Sequence, residues 1–359
     1  MKNIFLCDGY STYSHSFLRA DFDSLGNYEL LDIGVYPPRL FDMIRPIFIV
    51  VLIRLIYLLG FYSFVFSSYR SKLQLIKVVL IYLNVRKTID LSSVTNIRCH
   101  FLSKASFLAL LLRRRGVHFT VVCHAADLYG CDSAKLKVLE CSDVVETISH
   151  FGKGFAFALL KERAIGRVVF KPNKVRHIFN GINSKARASA KVIRLICVAR
   201  LVPQKGLLEL IEVMTYLTKL CQGRHVHLDL YGDGPLRQLL LEKIELNDLG
   251  QNITMHGSIP ADRVLGSLRE SDAFILLPAE VDFEVADGIP VVYQEALMCG
   301  LPVITSDAFG VSEYVWSRVN GLVLETSAAP ESKAKQIALF LLDAPDPLTF
   351  QPAAQRYFC

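Results

Sequence analysis

VIRLICVARLVPQKGLLELIEVMTYLTKL, residues 192–220, is the stretch on which the fold reading turns. It opens on a β-branched apolar run at 192–198. From Lys205 the apolar positions recur at helical spacing as far as Leu220. Pro203 and Gly206 punctuate the loop between the two patterns. The same unit then repeats. Strands are expected at 225–231, 252–256, 273–277, 302–305 and 321–324, and helices at 235–245, 262–269, 290–299 and after Pro330. Strand–helix alternation with short loops predicts an α/β, doubly wound parallel sheet whose ligands sit beyond the carboxyl ends of its strands.

The first half alternates less cleanly, with strands expected at 3–6, 28–33, 96–101, 117–123, 143–148 and 175–179. Residues 183–191 (NSKARASAK) are small, polar and poor in apolar side chains. The expected division is therefore an N-terminal domain over 1–184, a linker at 185–191, a C-terminal domain over 192–345 and a tail at 346–359. A chain of 359 residues is comfortable for two such cores. Its 52% hydrophobic and 21% charged residues exclude a disordered chain. Nine cysteines without a CxxC pair read as reduced, buried thiols of a cytosolic protein, and residues 1–7 read as a first strand rather than a signal peptide.

Charge is uneven. Between Arg39 and Arg115 there are thirteen Lys or Arg against two acids, Asp42 and Asp90. Such a patch seeks anions: lipid headgroups, sugar phosphates or nucleic acid. Within it, residues 46–66 (PIFIVVLIRLIYLLGFYSFVF) would span ~31 Å as a helix, close to a bilayer core. Arg54 would then sit near mid-membrane at a cost of ~2.5–3.5 kcal/mol. Helices lying on or dipping into an anionic surface through 43–89 are favoured, with a spanning helix and plain domain core as the alternatives. Mean hydropathy of +0.34 agrees with a membrane-facing surface. The basic stretch lacks the aromatic interleaving of nucleic-acid modules, so no nucleic-acid partner is expected.

Two segments carry the chemistry. In 197–206 (CVARLVPQKG), Arg200 offers a planar fork and Lys205 a point charge beside a helix start, the donors a departing diphosphate needs. In 287–302 (DGIPVVYQEALMCGLP), Pro290 suits a helix start, Gly288 permits close backbone approach, and Gly300 ends the helix. Asp287 precedes that helix and Glu295 lies on it, so two carboxylates can take different hydroxyls of one extended ligand. The amides of Gly288 to Val291 can meanwhile face its phosphates. Taken singly, each segment is also what a solvated loop or an amphipathic helix provides.

In order, R-x4-K-G, the GDGP turn at 232–235 and D/E-x7-E-A-x-x-C-G-x-P-V resemble the retaining family-four glycosyltransferases of GT-B fold. The subgroup most similar makes exopolysaccharide and colanic acid. Its pattern is also met at 13–25 (YSHSFLRADFDSL), at His100-Phe101, at 120–129 (TVVCHAADLY) and at Asn180-Gly181-Ile182. The resemblance implies two Rossmann-like domains facing across a cleft, and a UDP- or GDP-sugar donor. The expected acceptor is a saccharide or lipid-linked saccharide, in exopolysaccharide, capsule or lipopolysaccharide synthesis. By the same resemblance, Arg200 and Lys205 hold the diphosphate, Glu295 the ribose hydroxyls and Asp287 the transferred sugar. Gly288, Ile289 and Pro290 offer backbone to the sugar or phosphate. Gly257 to Ile259 line the base, Gly9 and Gly232 belong to the donor loops, and His124 enters the cleft beside the sugar.

Three residues depart from the pattern. Asp287 stands for the usual Glu and is one methylene shorter, Ala199 stands for Gly, and Gly9 is single rather than paired. No HExxH or ligand-spaced His/Cys/Asp cluster occurs, so neither a metal nor any other cofactor is expected. The expected location is the cytoplasm, peripheral at the inner face of the membrane. The competing readings are a sugar-nucleotide epimerase of the same fold and a catalytically silent scaffold that binds nucleotide sugar or lipid.

Overall fold

A computed structural model of the chain describes residues 2–7, 16–32, 90, 92–112, 116–171, 191–221, 223–279, 290–308 and 310–343. The chain divides into two compact units, Met1–Lys174 and Val175–Cys359. Of the linker expected at 185–191, only Lys191 is described, and the strand expected at 175–179, the segment 43–89 and the tail 346–359 lie outside the described residues.

In the first unit, β1 (Lys2–Cys7), α1 (Ser16–Leu25), β2 (Tyr28–Asp32) and β3 (Val94–His100) are followed by α2 (Lys104–Leu112) and β4 (His118–Cys123). Next come α3 (Ala125–Tyr129), α4 (Ser133–Cys141), β5 (Val144–Thr147), α5 (His150–Leu160) and β6 (Val168–Phe170). The strands form one parallel sheet in the order β2-β1-β3-β4-β5-β6. Ile4 to Cys7 of β1 and Val121 to Cys123 of β4 are buried, as central strands of a sheet covered on both faces require. Side-chain caps start two of the helices: Asp132 accepts from the Lys135 amide, and Ser149 from that of Gly152.

The second unit runs β7 (Val192–Val198), α6 (Leu207–Leu220), β8 (His225–Tyr231), α7 (Arg237–Leu246), β9 (Ile253–Gly257) and α8 (Ala261–Arg269). It continues through β10 (Ala273–Leu276), α9 (Val291–Met298), β11 (Val303–Ser306), β12 (Gly321–Leu324) and α10 (Pro330–Asp343). Its sheet is again wholly parallel, in the order β12-β11-β10-β7-β8-β9. One stripe of α6 is buried, Leu207, Leu210, Ile211, Met214 and Leu217, at the spacing that made the helix legible. Against α6 packs α10, where wholly buried Lys333 meets Glu209 and donates to the Thr326 carbonyl at 2.8 Å.

Strand order fixes where a ligand can bind. After β7 the chain builds outward through β8 and β9, then returns to the other side of β7 for β10. Loops leaving β7 and β10 therefore diverge and open a crevice at the carboxyl edge; β1 and β3 do the same in the first sheet. Among the described residues, no helix is long and apolar enough to cross a membrane. None of the described cysteines is disulfide-bonded; Cys131 and Cys141 are partly exposed and the others buried.

Candidate active site

The loop after β7 begins with backbone ties. The Ala199 amide donates to Tyr231 O and that of Leu201 to Asp233 O, both at 3.0 Å, locking it to the turn after β8. Gly232 of that turn donates to Gly257 O at 2.8 Å, so the ends of β7, β8 and β9 form one backbone network. At Gly232 (φ 139°) a Cβ would lie 1.8 Å from Ala199 O, so only glycine lets the two loops touch.

Pro203 to Lys205 then form a 3-10 turn that ends on Gly206, which is left-handed (φ 61°). The helix expected from Lys205 therefore starts at Leu207, because Gly206 breaks the α geometry. A Cβ on Gly206 would stand 1.7 Å from Leu277 O, and the Ala279 amide donates to Gln204 O at 3.2 Å. These contacts press the lysine-bearing turn against the chain leaving β10. Arg200 is exposed; Lys205 is only 8% exposed, and its charge acts on the thiol of Cys197. Burial pushes that thiol up to about 12, with Lys205 pulling the other way.

Across the crevice, α9 starts after Pro290, an extended residue (φ −61°, ψ 128°). Its Tyr293 hydroxyl bridges the strand ends, 2.7 Å from Thr305 Oγ1 and 3.4 Å from Leu276 O. Gly300 (φ 72°) closes the helix: its amide donates to Leu297 O and that of Leu301 to Ala296 O, both at 3.0 Å, the paired bonds of a Schellman cap. On α9 the Glu295 carboxyl is pushed up to about 7 by burial. None of the described residues is seen to offer it a hydrogen-bond donor or cation. Gln204 Oε1, Gln294 Oε1 and Ser306 Oγ are buried without a described partner, all near the carboxyl edge of this sheet. Arg200, Lys205, Gly232, Gly257, Ile259, Pro290 and Glu295 thus belong to one edge of one sheet. Asp287, Gly288, Ile289 and Gly9 lie outside the described residues.

His124 directly follows β4 and is 8% exposed. Its Nε2 lies 3.2 Å from Nδ1 of His100, the last residue of β3, and its ring packs 4.2 Å from that of Phe101. His100 Nε2 is 2.9 Å from Asp21 Oδ2, to which Arg98 Nε donates at 2.7 Å. Arg98 also clamps Glu146 through both terminal nitrogens, at 2.8 and 2.6 Å. Burial opposes ionisation of Asp21, yet the His100 hydrogen bond and the Arg98 charge hold its carboxyl well below the usual range. Nearby, burial pushes Asp127 up to about 7 although it accepts the Leu102 amide at 2.8 Å. Asp21 and Arg98 carry no role in the sequence reading: they are 77 positions apart, and only the folded sheet joins them. The signal available was a strand-ending histidine, His100, quoted only as part of a pattern.

Among the described residues, no cluster of three His, Cys, Asp or Glu has a metal-binding arrangement. Residues 181–357 match the glycosyl transferases group 1 family. Over 150 residues the chain is 33% identical to an amylovoran biosynthesis glycosyltransferase of Erwinia amylovora, covering 42% of this chain and 35% of that one. Over 155 residues it is 32% identical to a putative colanic acid biosynthesis glycosyltransferase of Escherichia coli, covering 42% and 36%. The matched stretch thus spans about a third of the length of these curated relatives. Among solved structures, Anabaena HepE in complex with UDP superposes with a TM-score of 0.63 at 16% identity, over 100% of this chain and 96% of that one. The apo lipopolysaccharide outer core galactosyltransferase WaaB gives 0.61 at 15%, with the same coverage. The C-terminal half of the chain, residues 181–357, is a glycosyl transferases group 1 domain, within a chain of the GT-B fold.

Proposed function

We propose that the chain transfers a sugar, with retention, from a UDP- or GDP-sugar to a saccharide or lipid-linked saccharide acceptor. The carrying observation is the β7–β10 crevice, where a buried lysine and a half-buried carboxylate with no described partner share one sheet edge. The exopolysaccharide roles printed for two relatives, and the UDP bound by HepE, support the same reading.

In this reading the anomeric C–O bond to the diphosphate breaks as a bond to an acceptor hydroxyl oxygen forms on the same face. The acceptor proton passes to the departing phosphate. Arg200 and Lys205 stabilise the charge that develops on the leaving group, and a cation fixed in place needs no rearrangement as the charge grows. At ~4 Å and an effective dielectric of ~20, one such cation contributes about 4 kcal/mol. Glu295 accepts the ribose hydroxyls, donors that none of the described residues is seen to give its carboxylate. Asp287 takes hydroxyls of the transferred sugar, the Gly288–Ile289–Pro290 backbone meets sugar or phosphate, and the Gly257–Ile259 backbone lines the base beside the Gly232 turn and Gly9. His124, which follows β4, would take a hydroxyl of a bound saccharide. The cationic work falls to side chains and helix amides, so no divalent metal or other cofactor is invoked. The basic apolar segment 43–89 would rest on an anionic membrane, at the cytoplasmic face where the donors are made.

A panel of nucleotide sugars offered with oligosaccharide and polyprenyl-diphosphate saccharide acceptors, with chelator present and read by mass spectrometry, tests this. Acceptor glycosylation is expected from one donor. Isomerisation of donor without acceptor would replace transfer by epimerisation. Lys205→Ala should cut transfer at least about 100-fold with the fold retained; normal turnover would remove the diphosphate clamp.

A further inference from the structure

The polar chain in the first unit does more than bury charge. Asp21, on α1, is held ionised by Arg98, and an ionised carboxylate only accepts hydrogen bonds. The 2.9 Å contact therefore requires the proton of His100 to sit on Nε2. His100 is 2% exposed and packs 5.0 Å from the Phe5 ring; burial pushes its pKa down, so the ring holds no second proton. Its Nδ1 is then a lone pair. A 3.2 Å contact between that lone pair and Nε2 of His124 needs a proton on Nε2 of His124. Each step follows from the one before, and the last fixes His124 itself.

We propose that Asp21 and His100 are positioning residues that hold His124 in a single tautomer, Nε2 protonated and Nδ1 an acceptor for a hydroxyl of the bound saccharide. The consequence for substrate rests on the glycosyltransferase reading; the tautomer does not. A third group that orients a histidine is how a folded protein selects one of two nearly isoenergetic ring forms. The surrounding charges serve the same end. Glu146 on β5 fixes the Arg98 guanidinium from the far side, and Lys171 meets Glu146 at 3.3 Å. Tyr28 of β2 faces this group, and Asp127 of α3 accepts the amide next to Phe101. Two anions, Asp21 and Glu146, are thus matched by two cations, Arg98 and Lys171, and burial holds the His100 imidazole neutral. Apolar side chains of similar volume would pack such a sheet as well or better. The chain instead reaches His124, the residue of the set to which the proposed function gives a substrate contact.

The test uses the full chain labelled with 15N and long-range proton–nitrogen correlation of the histidine rings, His124 being assigned by loss of its signals in His124→Gln. The wild type should show His124 with a protonated Nε2 and an unprotonated Nδ1 from pH 6 to 8. Asp21→Ala removes the acceptor, Oδ2, that keeps the His100 proton on Nε2. Both rings should then populate both tautomers. His100→Phe keeps the ring and removes the bridge, so His124 should populate both tautomers. A wrong tautomer should lower transfer about 100-fold or more. His124 with Nδ1 protonated in the wild type, or unchanged His124 signals in both variants, would overturn the relay. The ring signals need no substrate, so the relay stands or falls apart from the transfer reaction.

Discussion

Replacing Glu295 by Gln should make the ligand-free protein more stable and its nucleotide binding weaker, two opposite signs from one substitution. Burial raises this carboxyl from 4.5 to about 7. At ~1.36 kcal/mol per pKa unit, ionising it in the folded chain costs about 3 kcal/mol more than in the unfolded chain. The sign is that of a raised acid. Below pH 4.5 both states keep the proton and stability is full. As pH rises toward 7 the unfolded chain loses its proton first, and stability falls. Glutamine stays neutral, so the variant should match the wild type near pH 4 and exceed it at pH 8 by about 3 kcal/mol. For a unit the size of Val175–Cys359 that is a rise in Tm of about 6–12 °C. Binding runs the other way. Hydrogen bonds to a charged acceptor are worth about 1.5–3 kcal/mol, so losing the carboxylate should weaken UDP or GDP about 10- to 100-fold. Wild-type affinity should also tighten through pH 7, as the ligand's hydroxyls favour the ionised form. Differential scanning fluorimetry and titration calorimetry from pH 4 to 8 read both quantities. Equal melting temperatures at pH 8, or unaltered nucleotide affinity, would refute the assignment of Glu295 as a half-buried carboxylate that takes ligand hydroxyls.

Gly206→Ala and Gly232→Ala should each destabilise by at least about 2 kcal/mol in urea unfolding, since both add a Cβ at positive φ within 2 Å of a carbonyl oxygen. Gly250→Ala, with no atom within 4 Å of the added methyl, should be near neutral; equal effects at all three would remove the close-approach argument. Glu209→Ala should cost about 3–5 kcal/mol by stranding the buried Lys333 charge, and the pair Glu209→Leu with Lys333→Met should recover most of it. A mild single substitution would mean that the Thr326 carbonyl suffices to hold Lys333.

The second unit was legible because each of its elements declares itself locally. Residues 192–198, 225–231 and 321–324 are strands with the expected bounds, and the other strand and helix ends shift by one or two residues. The largest consequence of such a shift is at Gly206, whose left-handed turn can be read only once Leu277 is known to lie against it. In the first unit, β6 was missed: Val168–Phe170 is three residues long at the sheet edge, too short for any alternation to register. Arg200, Lys205 and Glu295 could be singled out because motif spacing along the chain places the first two after a strand and the third on a helix. Asp21, Arg98 and Glu146 were not, because their meaning comes from α1, β3 and β5 being brought side by side, and no short window contains two of them.

The residues that disobey the economy of a protein interior are not scattered. Gln204, Gln294 and Ser306 carry buried polar atoms that lack described partners, and they share the carboxyl side of the second sheet with the half-buried Glu295. Asp127, pushed toward neutrality with one oxygen unmet, follows β4 at the same side of the first. Each such group costs on the order of 1–3 kcal/mol that an apolar side chain of similar size would not. Yet the sheets beneath them are packed with apolar side chains, Ile193 and Leu195 to Cys197 in one and Ile4 to Cys7 in the other. A sequence able to build those cores could have filled its strand ends the same way. That it places carboxylates, amides and a hydroxyl there, at the edges where strand order opens a crevice in each sheet, is the arrangement expected when the missing hydrogen-bond partners arrive with a ligand.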